Sequence, residues 1–198
     1  MKLFYSPTSP YVRKVMACAI ARGLDGQITK VPCNPHESPA DLLARNPLSK
    51  VPCLVTDDGL ALFGSQVICE YLDSRGDALP LFPAQGAARW RALKFQAMGD
   101  GILDAAVPCR GEQQKPTEPA RDAQIARFKA AMSRTVDALE ADVPHKLLDI
   151  GTIAVACGLG YLDFRFASDP WRLAHPKLAA WYEAFAQTPA IAQTAPPG

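Results

Sequence analysis

A single hydroxyl group stands at the first junction between a strand and a helix. The run Ser6-Pro-Thr-Ser9-Pro-Tyr-Val places Ser9 directly before Pro10, and proline fits the first position of a helix, so Ser9 is the predicted N-cap. A helix N-terminus offers unpaired N–H groups and a positive dipole end, which together with a hydroxyl donor stabilise a thiolate. Ser9 is therefore the candidate catalytic residue, and Thr8 is the second candidate. The simpler alternative, that Ser9 only caps its helix, stays open on these residues alone.

A second chemical signal is a proline directly before a short apolar strand. Val51-Pro52 precedes Cys53-Leu-Val-Thr56, and proline brings no N–H donor to a sheet. The pattern makes sense if the Val51–Pro52 bond is cis, because the backbone of Val51 then turns outward and can pair with a peptide ligand. Ser65, at the predicted start of a later helix, adds a site for a carboxylate, since helix N-termini bind anions.

The first 76 residues predict strands and helices in the order β-α-β-α-β-β-α, and these elements would position the candidate residues. Gly23 stands where the cap that ends the first helix belongs, and Ser38-Pro-Ala-Asp41 has the cap, the proline and the acid of a helix start. The predicted strands are Lys2–Tyr5, Gln27–Val31, Cys53–Thr56 and Leu60–Phe63, and the last predicted helix of this region is Ser65–Asp73.

The rest of the chain is helical in its periodicity. Glycine and two prolines predict an interdomain linker at residues 77–86, followed by an all-helical domain over residues 87–198 and an extended tail from Thr194. Ile150–Phe166 is apolar around most of its circumference, which predicts a buried central helix with Asp149 as its N-cap. One apolar stripe is expected to be core: Ile125, Phe128, Met132, Val136 and Leu139.

Composition excludes several classes of protein. The 198 residues include 21 basic and 20 acidic ones, so charge gives no reason to expect nucleic acid or an anionic membrane as a partner. No apolar run approaches about 18 residues, and the chain starts with a strand pattern rather than a signal peptide, so we expect a cytoplasmic protein without a membrane partner. The six cysteines form no C-x-x-C pair and the three histidines are isolated, so no metal site is expected.

The Ser9-Pro10 junction, the run Asn46-Pro-Leu-Ser-Lys-Val-Pro52 and the pair Gly64-Ser65 together resemble the glutathione transferase family, over essentially the whole chain. The resemblance implies a thioredoxin-like domain, residues 1–76, that binds glutathione, followed by an all-α bundle. It also implies the substrate-binding residues. Val51, held by Pro52, pairs through its backbone with the cysteinyl moiety, and Lys50 faces the glycine carboxylate. Ser65 holds the γ-glutamyl carboxylate.

One departure from the family pattern lies directly before that serine. The family usually has Glu, Asp or Gln there, and this chain has Gly64, which offers only its backbone to the γ-glutamyl ammonium. Asp100 or Asp104 from a facing subunit is the expected replacement, since the first bundle helix lines the dimer cleft in the family. The resemblance therefore implies a homodimer, and weakened glutathione affinity is the alternative.

The activity implied by the resemblance is conjugation of the glutathione thiolate to small hydrophobic electrophiles, in detoxification. Glutathione is then a cosubstrate, and no other cofactor is expected. Ser9-Pro-Tyr-Val12 looks like the C-P-Y-C site of glutaredoxins with both cysteines replaced, which disfavours disulfide reduction. Tyr11 and the region of Cys109-Arg110 are the expected walls of the electrophile pocket. Two alternatives remain: a non-catalytic glutathione-binding protein on the same fold, and a glutathione-dependent reductase or isomerase.

Overall fold

Four short strands, each ended by proline, glycine or a turn, form one mixed sheet in a computed structural model that describes residues 1–197. The strand order is β2-β1-β3-β4, with β1 parallel to β2 and antiparallel to β3, and with β3 antiparallel to β4. Gly198, the last residue of the predicted tail, lies outside the described residues. The strands are β1 Lys2–Tyr5, β2 Thr29–Pro32, β3 Cys53–Val55 and β4 Ala61–Phe63.

The two faces of the sheet are covered by different helices. Leu3 and Leu54 belong to the large core that includes residues of α1 (Pro10–Ala21) and α3 (Ser65–Asp73). Their strand neighbours Phe4 and Cys53 point the other way and pack in a smaller cluster with Leu42 of α2 (Ala40–Leu43). Alternation along the strands thus separates the faces, as expected for a sheet buried on both sides. The predicted βαβαββα order is confirmed.

Several boundaries differ from their predictions: β3 ends at Val55 rather than Thr56, β4 begins at Ala61 rather than Leu60, and β2 and α2 differ more. Residues 25–27 form a 3₁₀ turn, so β2 begins at Thr29 rather than Gln27. Ser38 does not cap α2: its φ is +47°, in the left-handed region, and Pro39 is the N-cap of that helix. The Ser38 hydroxyl instead lies 2.9 Å from the Ser49 hydroxyl, which joins the turn before α2 to the loop before β3.

The remaining chain is helical. In α6 every residue from Ile150 to Leu162 is buried, and Asp149 caps it through a reciprocal pair of bonds with Thr152, so the predicted central helix and its N-cap are confirmed. Within residues 1–197 no helix combines the length and apolar character needed to cross a membrane. The other helices of this region are α4 Gly86–Gln113, α5 Pro119–Ala141, α7 Pro176–Phe185 and α8 Pro189–Ala192.

Glycines bring α4 and α6 into close contact. A Cβ at Gly99 would lie 2.3 Å from the backbone of Ala154, and one at Gly151 would lie 2.4 Å from the carbonyl oxygen of Ala92. Gly158 in turn packs against Ile102. Positions along α4 and α6 increase together through these contacts, so the two helices run in the same direction with their C-terminal ends side by side.

Candidate functional site

Three segments meet at the edge of the sheet where β1 ends. In the register Phe4 pairs with Cys53 and Cys53 pairs with Phe63, so the end of β1, the start of β3 and the end of β4 share one edge. The chain enters α1 just beyond that edge, and it enters α3 there as well. Two helix N-termini and the loop before β3 therefore converge, although they lie up to about 55 residues apart in the sequence.

Ser9 is the N-cap of α1, as predicted. Its Oγ accepts a hydrogen bond from the backbone N–H of Val12 at 3.3 Å, and Pro10 occupies the first position of the helix. A serine hydroxyl has one donor hydrogen and two acceptor sites, so capping leaves the O–H free to donate. Both Ser9 and Thr8 are half-buried. The geometry therefore allows Ser9 to cap its helix and to donate to a ligand at the same time.

The loop before β3 presents the main chain of Val51. The Val51–Pro52 bond is cis, which confirms that prediction. Within residues 1–197 no hydrogen bond uses the N–H or the C=O of Val51, and its side chain is half-buried. These two groups therefore remain available to an extended peptide. The Lys50 side chain is exposed beside them.

Asn46 holds this loop in place, and the sequence reasoning did not single it out. The residue is 1% exposed, its Nδ2 donates to the carbonyl of Lys50 at 2.8 Å, and its Oδ1 accepts from the N–H of Leu48 at 3.0 Å. An asparagine that precedes proline and bonds to its own loop is a recognised turn signal. The Asn46-Pro47 dipeptide was therefore the signal that could have found it.

The third segment is the start of α3. Gly64 is the N-cap with φ +81° and ψ 114°, a backbone conformation that side chains with a Cβ rarely adopt. Ser65 is 8% exposed, and within residues 1–197 no protein group bonds to its hydroxyl. The first N–H groups of α3 and this hydroxyl form a donor set suited to a carboxylate.

The predicted role of Asp100, as an acid reaching the ligand of a facing subunit, needs correction because its side chain is buried. One carboxylate oxygen lies 2.5 Å from Nζ of Lys14, which is fully buried, and the other accepts from Nε2 of Gln66 at 2.9 Å. Both oxygens are therefore occupied inside the chain, where the pair joins α1 to α4. A direct contact between Asp100 and a ligand on a facing subunit is excluded by this burial.

Tyr11 packs across the site onto α4. Its hydroxyl donates to the exposed Asp104 at 2.5 Å. Burial raises the pKa of the Tyr11 phenol, and the bond and negative charge of Asp104 raise it further. Tyr11 is thus neutral and bridges the start of α1 and α4, and its role as a wall of the electrophile pocket stays a prediction. Cys109 is fully buried and cannot line a pocket, whereas its neighbour Arg110 is half-buried.

A cavity of about 20 Å³ lies beside Ser9, which is room for one water molecule. It is lined from both regions of the chain, since α1, α6 and the segment after α8 all contribute. A larger cavity of about 320 Å³ lies at the opposite edge of the sheet and involves none of the site residues. The small cavity is lined by Pro7, Thr8, Ser9, Pro10, Arg13, Cys157, Tyr161, Thr194 and Pro196.

Comparisons with known proteins identify the family of this fold. Residues 8–75 match the family model of the glutathione S-transferase N-terminal domain. The uncharacterized GST-like protein YibF of Escherichia coli K12 is 33% identical over 203 residues, covering 100% of this chain and 99% of that protein. A crystal structure of a glutathione transferase family member from Pseudomonas fluorescens Pf-5 with bound glutathione has a TM-score of 0.92 at 39% identity, covering 100% of this chain and 99% of that one. A second structure, with bound S-(propanoic acid)-glutathione, gives 0.87 at 38% identity with full coverage of both chains.

Proposed function

The chain belongs to the glutathione S-transferase family, and from that premise we propose that it conjugates glutathione to small, largely apolar electrophiles. Glutathione is the cosubstrate, and no other cofactor takes part. Its thiolate attacks an electrophilic carbon, a C–S bond forms, and the leaving group departs with the electrons of the bond that breaks. The thiol proton goes to solvent. Ser9 is the catalytic residue, because its O–H donates to the sulfur and stabilises the thiolate.

The observation that carries this proposal is the convergence of three donor sets on one sheet edge. The N–H and C=O of Val51 pair with the cysteinyl moiety, and the start of α3 with Ser65 holds the γ-glutamyl carboxylate. Lys50 is free to face the glycine carboxylate. The glutathione sulfur then lies over the N-terminus of α1 beside Ser9. Similar structures with bound glutathione support the same choice of ligand.

Gly64 leaves the γ-glutamyl ammonium without an acid at the start of α3, and two groups are proposed to take its place. Gln66 bonds to Asp100 through Nε2, so its Oε1 is free to accept from an ammonium near Ser65. Asp104 is exposed, and in a homodimer it would supply a negative charge from the facing copy. We expect light scattering to report a dimer whose dilution weakens glutathione binding. A monomer with undiminished affinity would contradict the shared site.

The test is Ser9→Ala, with Thr8→Val as the comparison variant. We expect Ser9→Ala to raise the pKa of the bound glutathione thiol and to lower kcat with a generic aryl halide by about tenfold or more, at nearly unchanged glutathione affinity. Loss of the N-cap bond should lower the free energy of unfolding by about 1 kcal/mol, so urea unfolding must first show that both variants are folded under the assay conditions. Full turnover in Ser9→Ala together with a loss in Thr8→Val would move the role to Thr8.

A non-catalytic glutathione-binding protein is the second candidate, favoured by Gly64. Tight calorimetric binding of glutathione by the wild-type protein without any conjugation would select it. A reductase or isomerase is disfavoured because Ser9 supplies no thiol, and Ser9→Cys should create disulfide reductase activity.

The proposal also includes a cytoplasmic role in detoxification. The cysteines support it, since all six are free thiols.

A further inference from the structure

An arginine lies in the last turn of each of the two helices α4 and α6, whose packed surface facing the site is called the helical wall. Because α4 and α6 run in the same direction, the contacts of Gly99 with Ala154, of Gly158 with Ile102 and of Gly151 with Ala92 define an offset of 55 to 59 positions between the helices. The lower end of this range, 55 positions, puts Arg110, in the last turn of α4, level with Arg165, the last residue of α6. Both side chains are half-buried. The C-terminal ends of the two helices thus bring two positive charges together.

Tyr161 lies between these arginines and Ser9. It precedes Arg165 by one helical turn, so the two share a face of α6, and it lines the small cavity that Ser9 also lines. Burial raises the pKa of the Tyr161 phenol, while the positive charges of Arg165 and then Arg110 act in the opposite direction, in keeping with their places on α6 and α4. The arginine pair is therefore continuous with the place where a conjugated substrate must bind.

Neither arginine is neutralised by an acid. Within residues 1–197 the ion pairs of the protein involve other basic groups, and no carboxylate is paired with Arg110 or Arg165. Two acids of the same helices are already engaged, since Asp163 bonds to Arg172 at 2.8 Å and Asp104 to Tyr11. Unpaired, half-buried cations at the edge of a pocket are suited to an anionic ligand.

Arg165 is also held in a defined position. Its guanidinium lies 3.8 Å from the centre of the Phe164 ring, and stacking on an aromatic face leaves the N–H edge of the group free to donate. A third arginine deepens the positive potential. Arg13 is 9% exposed with no acid paired to it, its Nε has no partner, and its Nη2 reaches only the carbonyl of Ile191 at 3.4 Å. It lines the same cavity as Ser9 and Tyr161.

We propose that the electrophile carries a carboxylate, and that Arg110 and Arg165 bind it beside Tyr161 while its reactive carbon faces the glutathione sulfur. This inference rests on the proposed function and names the substrate class of the same site. With an aryl chloride as electrophile, the thiolate forms a C–S bond at the ring carbon, the C–Cl bond breaks, and chloride leaves with its electron pair. The substrate carboxylate takes no part in bond formation and serves only for recognition.

The experiment uses a matched pair of electrophiles, an ortho-nitro aryl chloride with a para carboxylate and its para carboxamide analogue. Catalysed kcat/KM values are divided by the uncatalysed rate constants, which removes the difference in intrinsic reactivity. We expect the wild-type protein to favour the carboxylate by about tenfold or more, and Arg110→Gln and Arg165→Gln each to reduce that preference by about tenfold, mainly through KM. Arg134→Gln, which removes an exposed arginine from α5, is the matched control and should keep the preference.

Calorimetry separates this inference from the proposed function. The glutathione conjugates of both aryl compounds are titrated into the wild-type protein and the variants, which measures recognition without turnover. Tighter binding of the carboxylate conjugate, lost in both arginine variants, supports the inference even if conjugation is absent, and in that case only the proposed catalytic function fails. Equal affinity of the wild-type protein for the two conjugates, or failure to bind either, would overturn it.

Discussion

The sheet edge and the helical wall border the same site, but they present their polar groups in different ways. At the sheet edge the groups are mainly backbone: the N–H and C=O of Val51 and the first N–H groups of α1 and α3. On the helical wall they are the ends of long side chains, Tyr161, Arg110 and Arg165, carried by two closely packed helices.

This difference indicates which contacts to a ligand are fixed by the fold and which can be changed by substitution. Backbone groups cannot be changed by substitution without changing the fold, so the sheet edge suits a ligand that stays the same, such as glutathione. Side chains at the ends of α4 and α6 can be exchanged while the packed part of each helix is kept. In the proposed function, the helical wall is therefore where the choice of electrophile can change.

The largest effect is expected from breaking the ion pair that joins the two regions. Asp100→Ala leaves the buried Lys14 ammonium without its acid and should lower the free energy of unfolding by about 3–5 kcal/mol. Urea unfolding measures this change. Asp142→Asn is the control, because Asp142 forms its ion pairs at the exposed surface and should contribute less than about 1 kcal/mol.

A double variant distinguishes charge from packing at this pair. Lys14→Met combined with Asp100→Leu replaces both charges with apolar groups of similar size and should recover most of the stability lost in Asp100→Ala. Glutathione affinity should recover less, because Gln66 would still lack the acceptor that positions it. Equal stability of Asp100→Ala and the wild-type protein would show that the two regions do not depend on this pair.

The next effect concerns the packing of the helical wall. Gly99→Ala should lower the free energy of unfolding by about 2–3 kcal/mol, because its Cβ would lie 2.3 Å from the backbone of Ala154 and the helices would have to separate. Gly101→Ala is the matched control on the same helix. Its Cβ would meet no atom within 4 Å, so alanine should stabilise α4 by up to about 1 kcal/mol through helix propensity. Equal effects at the two positions would contradict a close α4–α6 contact.

The sheet edge was largely predictable from sequence, because its parts are local. Ser9 before Pro10, proline before β3 and the capping pair of Asp149 with Thr152 each involve residues within a few positions, and turn and cap chemistry depends on just such neighbours. The same locality explains the error at Ser38. A cap residue, a proline and an acid were all present there, but the bond to Ser49 favours a left-handed turn instead.

The helical wall was not predictable in the same way, because its contacts join residues far apart in the chain. Nothing near Asp100 in the sequence indicates that its partners are Lys14 and Gln66, 86 and 34 positions away. Arg110 was expected as a wall from the resemblance, but the proposed pairing with Arg165 follows only from the parallel packing of α4 and α6. Spacing along one helix carries no information about such an offset between two.

The smallest expected effect concerns the pH dependence of folding stability and involves a histidine outside the sheet edge. His175 is buried, its Nδ1 lies 2.6 Å from the carbonyl oxygen of Trp171, and its Nε2 lies 2.7 Å from Asp137. Burial lowers the pKa of the imidazole, but the bonds to Asp137 and to the Trp171 carbonyl, with the charge of Asp137, outweigh it, so the pKa is raised above its usual value. The imidazolium donates both hydrogen bonds, and the neutral ring can donate only one.

The pKa of His175 is higher in the folded state than in the unfolded state. Its contribution to the free energy of unfolding is therefore fully present below the unfolded-state pKa of about 6.5 and is lost as the pH rises through the folded-state pKa. The free energy of unfolding of the wild-type protein should therefore fall between about pH 5.5 and pH 8.5 as His175 loses its proton. Asp137→Asn should make this fall smaller, by less than about 1 kcal/mol because the carboxylate is 62% exposed. Asp169→Asn is the control, since it removes a 63% exposed acid that pairs with Lys129 and no histidine. Urea unfolding of the three proteins at both pH values measures the difference. If the Asp137 and Asp169 variants respond to pH identically, the His175 pair does not contribute to the pH dependence of folding.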